Sequence, residues 1–416
     1  MSKTTKKVVP KLRFYEFRDQ EGWSQTTIGE LGNFYYGKSA PKWSLEENAP
    51  TKCVRYGELY TKFGAVISET YSRTNIDPAS LRFSKGGEIL VPRVGEKPED
   101  FGKCVCYLPL SNIAIGEMIS VFETNQNPLF YTYYFRNMYK QFAKVVEGQN
   151  VKNLYYVELE PLSLFRPEKE EQQKIADCLS SIDNLITAQS QKVEALKIHK
   201  KGLMQQLFPR EGETVPRLRF PEFRDAGEWE EGKLGDKNIS IFVKERVSVS
   251  NLTLETYVST ENLLSEYEGV TKASRLPPSG SCTKFKEGDI LISNIRPYLK
   301  KVWQANFSGA SSNDVIVIRA GEEIRDFFLN FLLRNDDFID YIMKGAKGVK
   351  MPRGDIDLMK EYPIVYPSPE EQQHIADCLL NIDNLISAQT QKLESLKTHK
   401  KGLMQQLFPS VEAVSE

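Results

Sequence analysis

The stretch EEQQKIADCLSSIDNLITAQSQKVEALKIHKKGLMQQLFP, Glu170 to Pro209, recurs as EEQQHIADCLLNIDNLISAQTQKLESLKTHKKGLMQQLFP, Glu370 to Pro409, with 32 of 40 positions identical at an offset of 200. In the first copy Ile175, Leu179, Ile182, Ile186, Gln189, Val193, Leu196, Lys200, Leu203 and Leu207 fall at alternating steps of four and three. Ile375, Leu379, Ile382, Ile386, Gln389, Leu393, Leu396, Lys400, Leu403 and Leu407 take the same places in the second. That spacing draws one apolar stripe along an α-helix, the heptad seam of a coiled coil. At about 1.5 Å per residue such a helix extends roughly 55–60 Å. A lone helix must bury its stripe, and the twin is the nearest partner, so the two are expected to pair antiparallel as a rigid spacer between two halves in pseudo-two-fold relation.

The helix ends carry their own signals. Ser368-Pro369-Glu370-Glu371 reads as a capping box, with Ser as N-cap, Pro at the first helical position and Glu three after the cap. Pro167-Glu168-Lys169-Glu170-Glu171 keeps the acidic first turn without the Ser, and Lys197, Lys200 and Lys201 suit the dipole at the far end. Gln189 and Gln389 are polar groups in the seam, which either fix register or face solvent or a partner. Leu185, Leu385, Ala188, Ala388, Met204 and Met404 widen the apolar face, as a docking surface or a broad core stripe. Gly202 and Gly402 weaken their helices by about 1 kcal/mol each relative to Ala, so close packing or a bend is expected there.

A second repeat precedes each body: PKLRFYEFRDQEGW from Pro10 and PRLRFPEFRDAGEW from Pro216, continuing through Ile28-Gly29 and Leu234-Gly235. The chain is therefore a tandem duplication. Its parts read as a first recognition domain over 1–167, a spacer helix over 168–209, a second recognition domain over 210–367, a second spacer helix over 368–409 and a tail over 410–416. The bodies diverge but keep landmarks: FSKGGEILV, Phe83 to Val91, answers FKEGDILI, Phe285 to Ile292, each read as a strand at a Gly turn. Gly148 and Gly348 align, and Leu129 to Phe142 and Phe327 to Met343 each suit one buried helix. Each body is then a mixed α/β domain. Near-identical helices beside divergent bodies fit one kind of partner for the helices and different partners for the bodies; recent recombination of the helices would leave the same contrast.

With 416 residues the chain exceeds a single ordinary core. The polar, basic start from Met1 to Lys7 and the lack of an apolar run of roughly 18–20 residues argue against a secretory signal or a membrane span, and point to the cytoplasm. The six cysteines form no C-x-x-C pair and read as reduced thiols. A formal charge of −1 gives no overall basic field for nucleic acid, so phosphate contact requires local segregation of charge or help from a partner.

The sequence offers no catalytic centre. Asn127-Pro128-Leu129-Phe130 looks like a damaged base-flipping pocket motif, but no Gly-rich cofactor loop accompanies it; the matching place reads Glu323-Ile324-Arg325-Asp326-Phe327, and a helix start explains it better. There is no G-x-x-x-x-G-K-[ST] loop for ATP. With only His199, His374 and His399, neither a histidine metal site nor a nucleophile pair is supported; His199 and His399 read as solvated side chains near the helix ends.

The lead-in motif, the FKEGDILI strand, the segment EYPIVYPSPEEQQHIADCL and the tail HKKGLMQQLFP together resemble the specificity subunits of type I restriction-modification systems, over nearly the whole chain. The resemblance implies two target-recognition domains reading two parts of an asymmetric double-stranded DNA site. It implies paired helices that space them and bind two modification (methyltransferase) subunits, and an assembly able to recruit two restriction (nuclease-translocase) subunits. It implies no cofactor or metal in this chain, with S-adenosylmethionine, ATP and Mg belonging to the partners, in a bacterial or archaeal cytoplasm.

Base readout requires donors and acceptors flanked by cations for phosphate. In the first body these are Arg93 and Lys97 after the strand, with Gln149, Asn150 and Lys152 in EGQNVKN. In the second they are Asn294 and Arg296, with Lys347, Lys350 and Arg353 in AKGVKMPRG. A non-catalytic coiled-coil adaptor whose bodies bind proteins is the alternative, favoured by the near-neutral charge. A divergent methyltransferase is the other, decided by S-adenosylmethionine binding to the chain alone.

Overall fold

The computed structural model describes residues 7–38 and 40–409, so the tail 410–416 and the start 1–6 lie outside the described residues. Two compact units divide the chain midway along each long helix, one running up to Gln191 and resuming at Thr390, the other spanning Lys192 to Gln389. Each unit thus owns a body, the first half of one long helix and the second half of the other.

Both units centre on a four-stranded antiparallel sheet of the same order. In the first unit it runs Gly32–Tyr36, Ile119–Thr124, Glu88–Pro92, Cys106–Leu108. In the second it runs Ser240–Phe242, Val315–Ala320, Ile290–Ser293, Val302–Gln304. All five residues of Glu88–Pro92 are buried because the sheet is covered on both faces. Ile89, Val91 and Phe122 enter the core shared with the helices, while Leu90, Val121 and Ile119 enter a separate cluster with Val54, Ile67 and Ile115. Ile290, Ile292 and Ile318 against Leu291, Val315 and Val317 repeat that division. A smaller sheet in each unit includes a parallel pair, Cys53↔Ala114 and Tyr257↔Ala310.

The strand expected over Phe83 to Val91 begins only at Glu88. Gly86 and Gly87 take φ +92° and +113°, which breaks the extended run, and Phe83 makes an isolated bridge to Ala114. In the second unit Phe285 ends a strand of the smaller sheet, and a new strand starts at Ile290. The buried Glu88 and Asp289 carboxylates accept from the turn before each strand, Gly86 N at 3.0 Å and Lys286 N at 2.9 Å. The single body helix expected in each half is two: Pro128–Asn137 then Tyr139–Lys144, and Asp326–Leu333 then Asp336–Lys344. Asn335 restarts the second by capping Asp337 N. Asn127 is a helix start, its side chain accepting from Phe130 N at 2.9 Å.

The long helices run Lys169–Leu207 and Pro369–Leu407. Within the first unit Ile175 and Leu179 share a core with Leu407 and Phe408, and Asp183 pairs with Lys400, so the helix segments lie antiparallel. Within the second, Ile375 and Leu379 share a core with Leu207 and Phe208, and Lys200 reaches Asp383 at 2.6 Å. Burial pushes both lysine pKa values down, with the Arg334 charge adding to the effect at Lys200.

The lead-in motif clasps these helices. Arg13 donates to both Glu171 oxygens at 2.9 and 2.8 Å, and Arg219 to both Glu371 oxygens at 2.8 and 2.7 Å, all four side chains at most 8% exposed. Leu12 N donates to Gln406 O at 3.0 Å and Leu218 N to Gln206 O at 2.9 Å, so each motif holds the start of one helix and the end of the other. The capping box is accordingly half made: Glu371 N donates to Ser368 Oγ at 3.4 Å, but the Glu371 carboxylate serves Arg219. Gln172 and Gln372, fully buried, each accept from the body (Asn127 N at 3.0 Å, Arg325 N at 2.8 Å) and donate to Pro167 O and Pro367 O at 2.9 Å. Trp23 and Trp229 meet Phe130 and Phe328 edge-on at 5.9 and 6.0 Å. None of the helices formed by the described residues is long and apolar enough to cross a membrane.

Of the expected seam, Ile175, Leu179, Gln189, Val193, Leu207, Ile375, Leu379, Leu393 and Leu407 are buried; Ile182, Ile186, Leu196, Leu203, Ile382, Ile386, Gln389, Leu396 and Leu403 are half-buried. Leu185 and Leu385 are exposed, as are Ala188 and Ala388, whereas Met204 and Met404 pack against the cores. Gly202 and Gly402 do not mark close packing: a Cβ at either meets nothing within 4 Å, and both helices run on through Leu207 and Leu407. All six cysteines are free thiols.

Candidate nucleic-acid interface

A strand that ends at a sheet edge needs its next backbone groups paired, and in each unit a hairpin supplies them. Val94 and Gly95 pair with Asn153 and Lys152, and Ile295 bridges Arg353. The hairpin base is closed by two reciprocal bonds, Glu147 with Asn153 at 2.9 and 2.8 Å, Lys347 with Arg353 at 2.9 Å each way. Gly148 and Gly348 turn the tips at φ +97° and +103°, a region that favours glycine. The structure therefore joins the loop that carries Arg93 and Lys97 to the hairpin that carries Gln149, Asn150 and Lys152 in one unit, and the loop of Asn294 and Arg296 to the hairpin of Lys347, Lys350 and Arg353 in the other.

The two ridges share key backbone hydrogen bonds and differ in side chains. Arg93 N donates to Met118 O (3.0 Å) and its carbonyl accepts from Leu154 N (2.9 Å); Asn294 N donates to Asp314 O (2.8 Å) and its carbonyl accepts from Gly354 N (3.1 Å). Arg93 and Asn294 thus hold one place, as do Glu147 and Lys347, Gln149 and Val349, Asn150 and Lys350, Lys152 and Pro352. Gln149, Asn150, Lys97, Arg296, Lys347, Lys350 and Arg353 are exposed. Lys347 reaches Asp355 at 3.4 Å, Arg353 reaches Asp314 at 2.9 Å, and Lys152 bonds Gly148 O. Val349 is fully exposed and Met351 is 54% exposed, on the tip of the second hairpin. Formal charge follows: Glu147 and Lys152 cancel across 147–153, whereas Lys347, Lys350 and Arg353 leave +3 across 347–353.

Sequence reasoning missed the aromatic partners of this ridge. The Arg93 guanidinium carbon lies 4.6 Å from the Tyr36 ring centre and 5.5 Å from that of Tyr155. Burial raises the Tyr36 phenol pKa above its ordinary value, though the Arg93 charge works against it. Tyr36 ends a strand 57 residues away from Arg93, and no local pattern signals such a pairing. Among the described residues no group of three or more His, Cys, Asp or Glu is placed to hold a metal.

Residues 20–197 and 256–398 match the family described as Type I restriction modification DNA specificity domain, once in each half. The chain is 26% identical to a protein of Methanocaldococcus jannaschii assigned as the type I restriction enzyme MjaX specificity subunit, over 95% of this chain and 97% of that one. It is 23% identical to the type I restriction enzyme MjaVIII specificity subunit of the same organism, over 67% and 69% of the two chains. Its fold is that of the S subunit of a type I restriction-modification system from M. genitalium, with TM-score 0.60 and 18% identity over 97% of this chain and all of the other. A chain from a type I system solved for its assembly and conformational transition gives TM-score 0.58 at 14% identity, over 93% and 97%. The chain belongs to the type I restriction-modification DNA specificity family: it is a specificity subunit, a DNA-recognition chain and not itself an enzyme.

Proposed function

We propose that each unit reads one part of a two-part, asymmetric double-stranded DNA site through the ridge formed by its strand-end loop and hairpin, and that the long helices set the length of the unread spacer. The observation that carries this is the match of the two ridges in the backbone hydrogen bonds at Arg93 and Asn294 and at the hairpin base, beside their difference in side chains, which suits one mode of approach to DNA and two different sequences read. Arg93, Lys97, Gln149, Asn150 and Lys152 serve one part, and Asn294, Arg296, Lys347, Lys350 and Arg353 the other. The exposed Leu185, Ile198 and Leu385 support a docking role for the helices, with two modification subunits as partners and two restriction subunits recruited through them. S-adenosylmethionine, ATP and Mg then act in those partners, in a bacterial or archaeal cytoplasm.

Mapping methylated adenines in the host genome with and without this gene tests the reading. A bipartite motif that vanishes with the gene is the expected result. Removing one turn from a long helix should change the spacer length and leave both specific parts as they were. An unchanged methylome, with all subunits expressed, would end the assignment.

A further inference from the structure

Arg93 is arranged unlike the chain's other enclosed arginines. Arg13 and Arg219 are held by carboxylates, Arg319 by Asp289 at 2.7 and 2.8 Å, and Arg136 by the Val105 carbonyl at 2.7 Å; Arg334, which lies over the Tyr267 ring and also has a buried Nε without a partner, donates to the Tyr267 carbonyl at 3.2 Å and faces Asp383 at 3.8 Å. The Arg93 guanidinium is held by two rings instead, Tyr36 and Tyr155; its Nε is buried with no hydrogen-bond partner, and its side chain makes no hydrogen bond or ion pair among the described residues. Two aromatic contacts fix a cation's position and plane while leaving its N–H donors unspent. A planar fork so fixed suits a pair of acceptors lying in one plane outside the chain. DNA offers two such pairs, the O6 and N7 of guanine in the major groove and two oxygens of a phosphate.

We propose that Arg93 reads a guanine in the part of the DNA site served by the first unit, with Tyr36 and Tyr155 as positioning residues. This rests on the DNA-reading role of the ridge. Phosphate contact needs charge and reach, which the exposed Lys97 on the same loop already supplies; a guanidinium whose plane is set by the fold gains most where the acceptor plane is also set, as it is in a base pair. The second unit holds Asn294 in the same place, an amide whose matching edge is that of adenine, so the guanine preference belongs to one part of the site only.

The test is selection of duplexes randomised across the site by the full chain assembled with its modification subunits, at two salt concentrations. For the wild type a guanine is expected at one position of the first unit's part. Arg93→Lys keeps the charge and removes the fork; it should flatten that position by about 5- to 150-fold, the range of a bidentate base contact. The second unit's part of the motif should stay unchanged, which also shows that the variant folds. Tyr155→Leu should lower the same discrimination without moving any other position. Uniform weakening across all sequences with a shallower salt dependence would mark a phosphate contact and overturn the proposal, as would an unaltered motif. A wild-type selection that returns no motif sinks the DNA-reading role and this proposal with it.

Discussion

In the first unit Arg13 grips Glu171, Leu12 N meets Gln406 O and Trp23 packs on Phe130; in the second Arg219 grips Glu371, Leu218 N meets Gln206 O and Trp229 packs on Phe328. The ridges invert that likeness: Arg93 stands where the other has Asn294, and Glu147 where the other has Lys347. Sequence identity within the chain follows mechanical duty. Positions that hold a helix tolerate little change because a buried bidentate ion pair admits few substitutes, while a hairpin closed by backbone bonds accepts almost any tip side chain beyond its turn glycine. The largest expected effect breaks the clasp. Arg13→Ala leaves the Glu171 carboxylate, 1% exposed, without its counter-charge, and should cost about 3–5 kcal/mol; Arg219→Ala should cost the same. Denaturant unfolding checks it, and a loss below about 1 kcal/mol in either variant would show that the clasp does not hold the helix. Arg13→Met with Glu171→Leu should lose less than Arg13→Ala alone, because no charge stays buried unpaired.

The hairpins allow a sharper contrast at one substitution. Gly148 and Gly348 share a left-handed φ, so Ala at either is strained by about 1–3 kcal/mol. A Cβ at Gly348 would sit 3.3 Å from the Met351 carbonyl oxygen, which a small shift relieves; at Gly148 it would press into the Val151 carbonyl oxygen. Gly148→Ala should therefore lie near the upper end of that range and Gly348→Ala near the lower, read as two midpoints in the same unfolding assay. Equal losses would mean that the two tips are not differently tightened.

Much of the scaffold was legible in the sequence because its signals are periodic and local. The helices announce themselves by a heptad stripe and by Ser368 and Pro369 at an N-terminus. What escaped depends on pairs far apart in the chain. Arg13 and Glu171 are separated by 158 residues, and nothing in LRF or EEQQ says that one answers the other. The two-residue strands Val94–Gly95 and Lys152–Asn153 are too short for any alternation, so their pairing had no signature, although residues on both sides were singled out by chemical type. The split in the first body escaped because an apolar pattern runs through Met138 without a Pro or Gly, and Met138 closes one helix as it opens the next; in the second, the apolar spacing hid the local N-cap signal of Asn335-Asp336-Asp337.

Gly202 and Gly402 give the smallest effect and the opposite sign. Their repetition at one place in both helices invites a packing explanation, yet neither backbone is approached by another atom where a side chain would go. Each glycine then contributes only its cost, the backbone entropy lost when a flexible residue is fixed in a helix. Gly202→Ala and Gly402→Ala should each raise stability by about 1 kcal/mol, and by nearly twice that together, since each lies in a different unit. Thermal unfolding of the two single variants and the double variant decides it. Destabilisation by either alanine would mean that the helix bends or is approached at that point in solution, and the reading of both helices as uninterrupted through their last turn would fail with it.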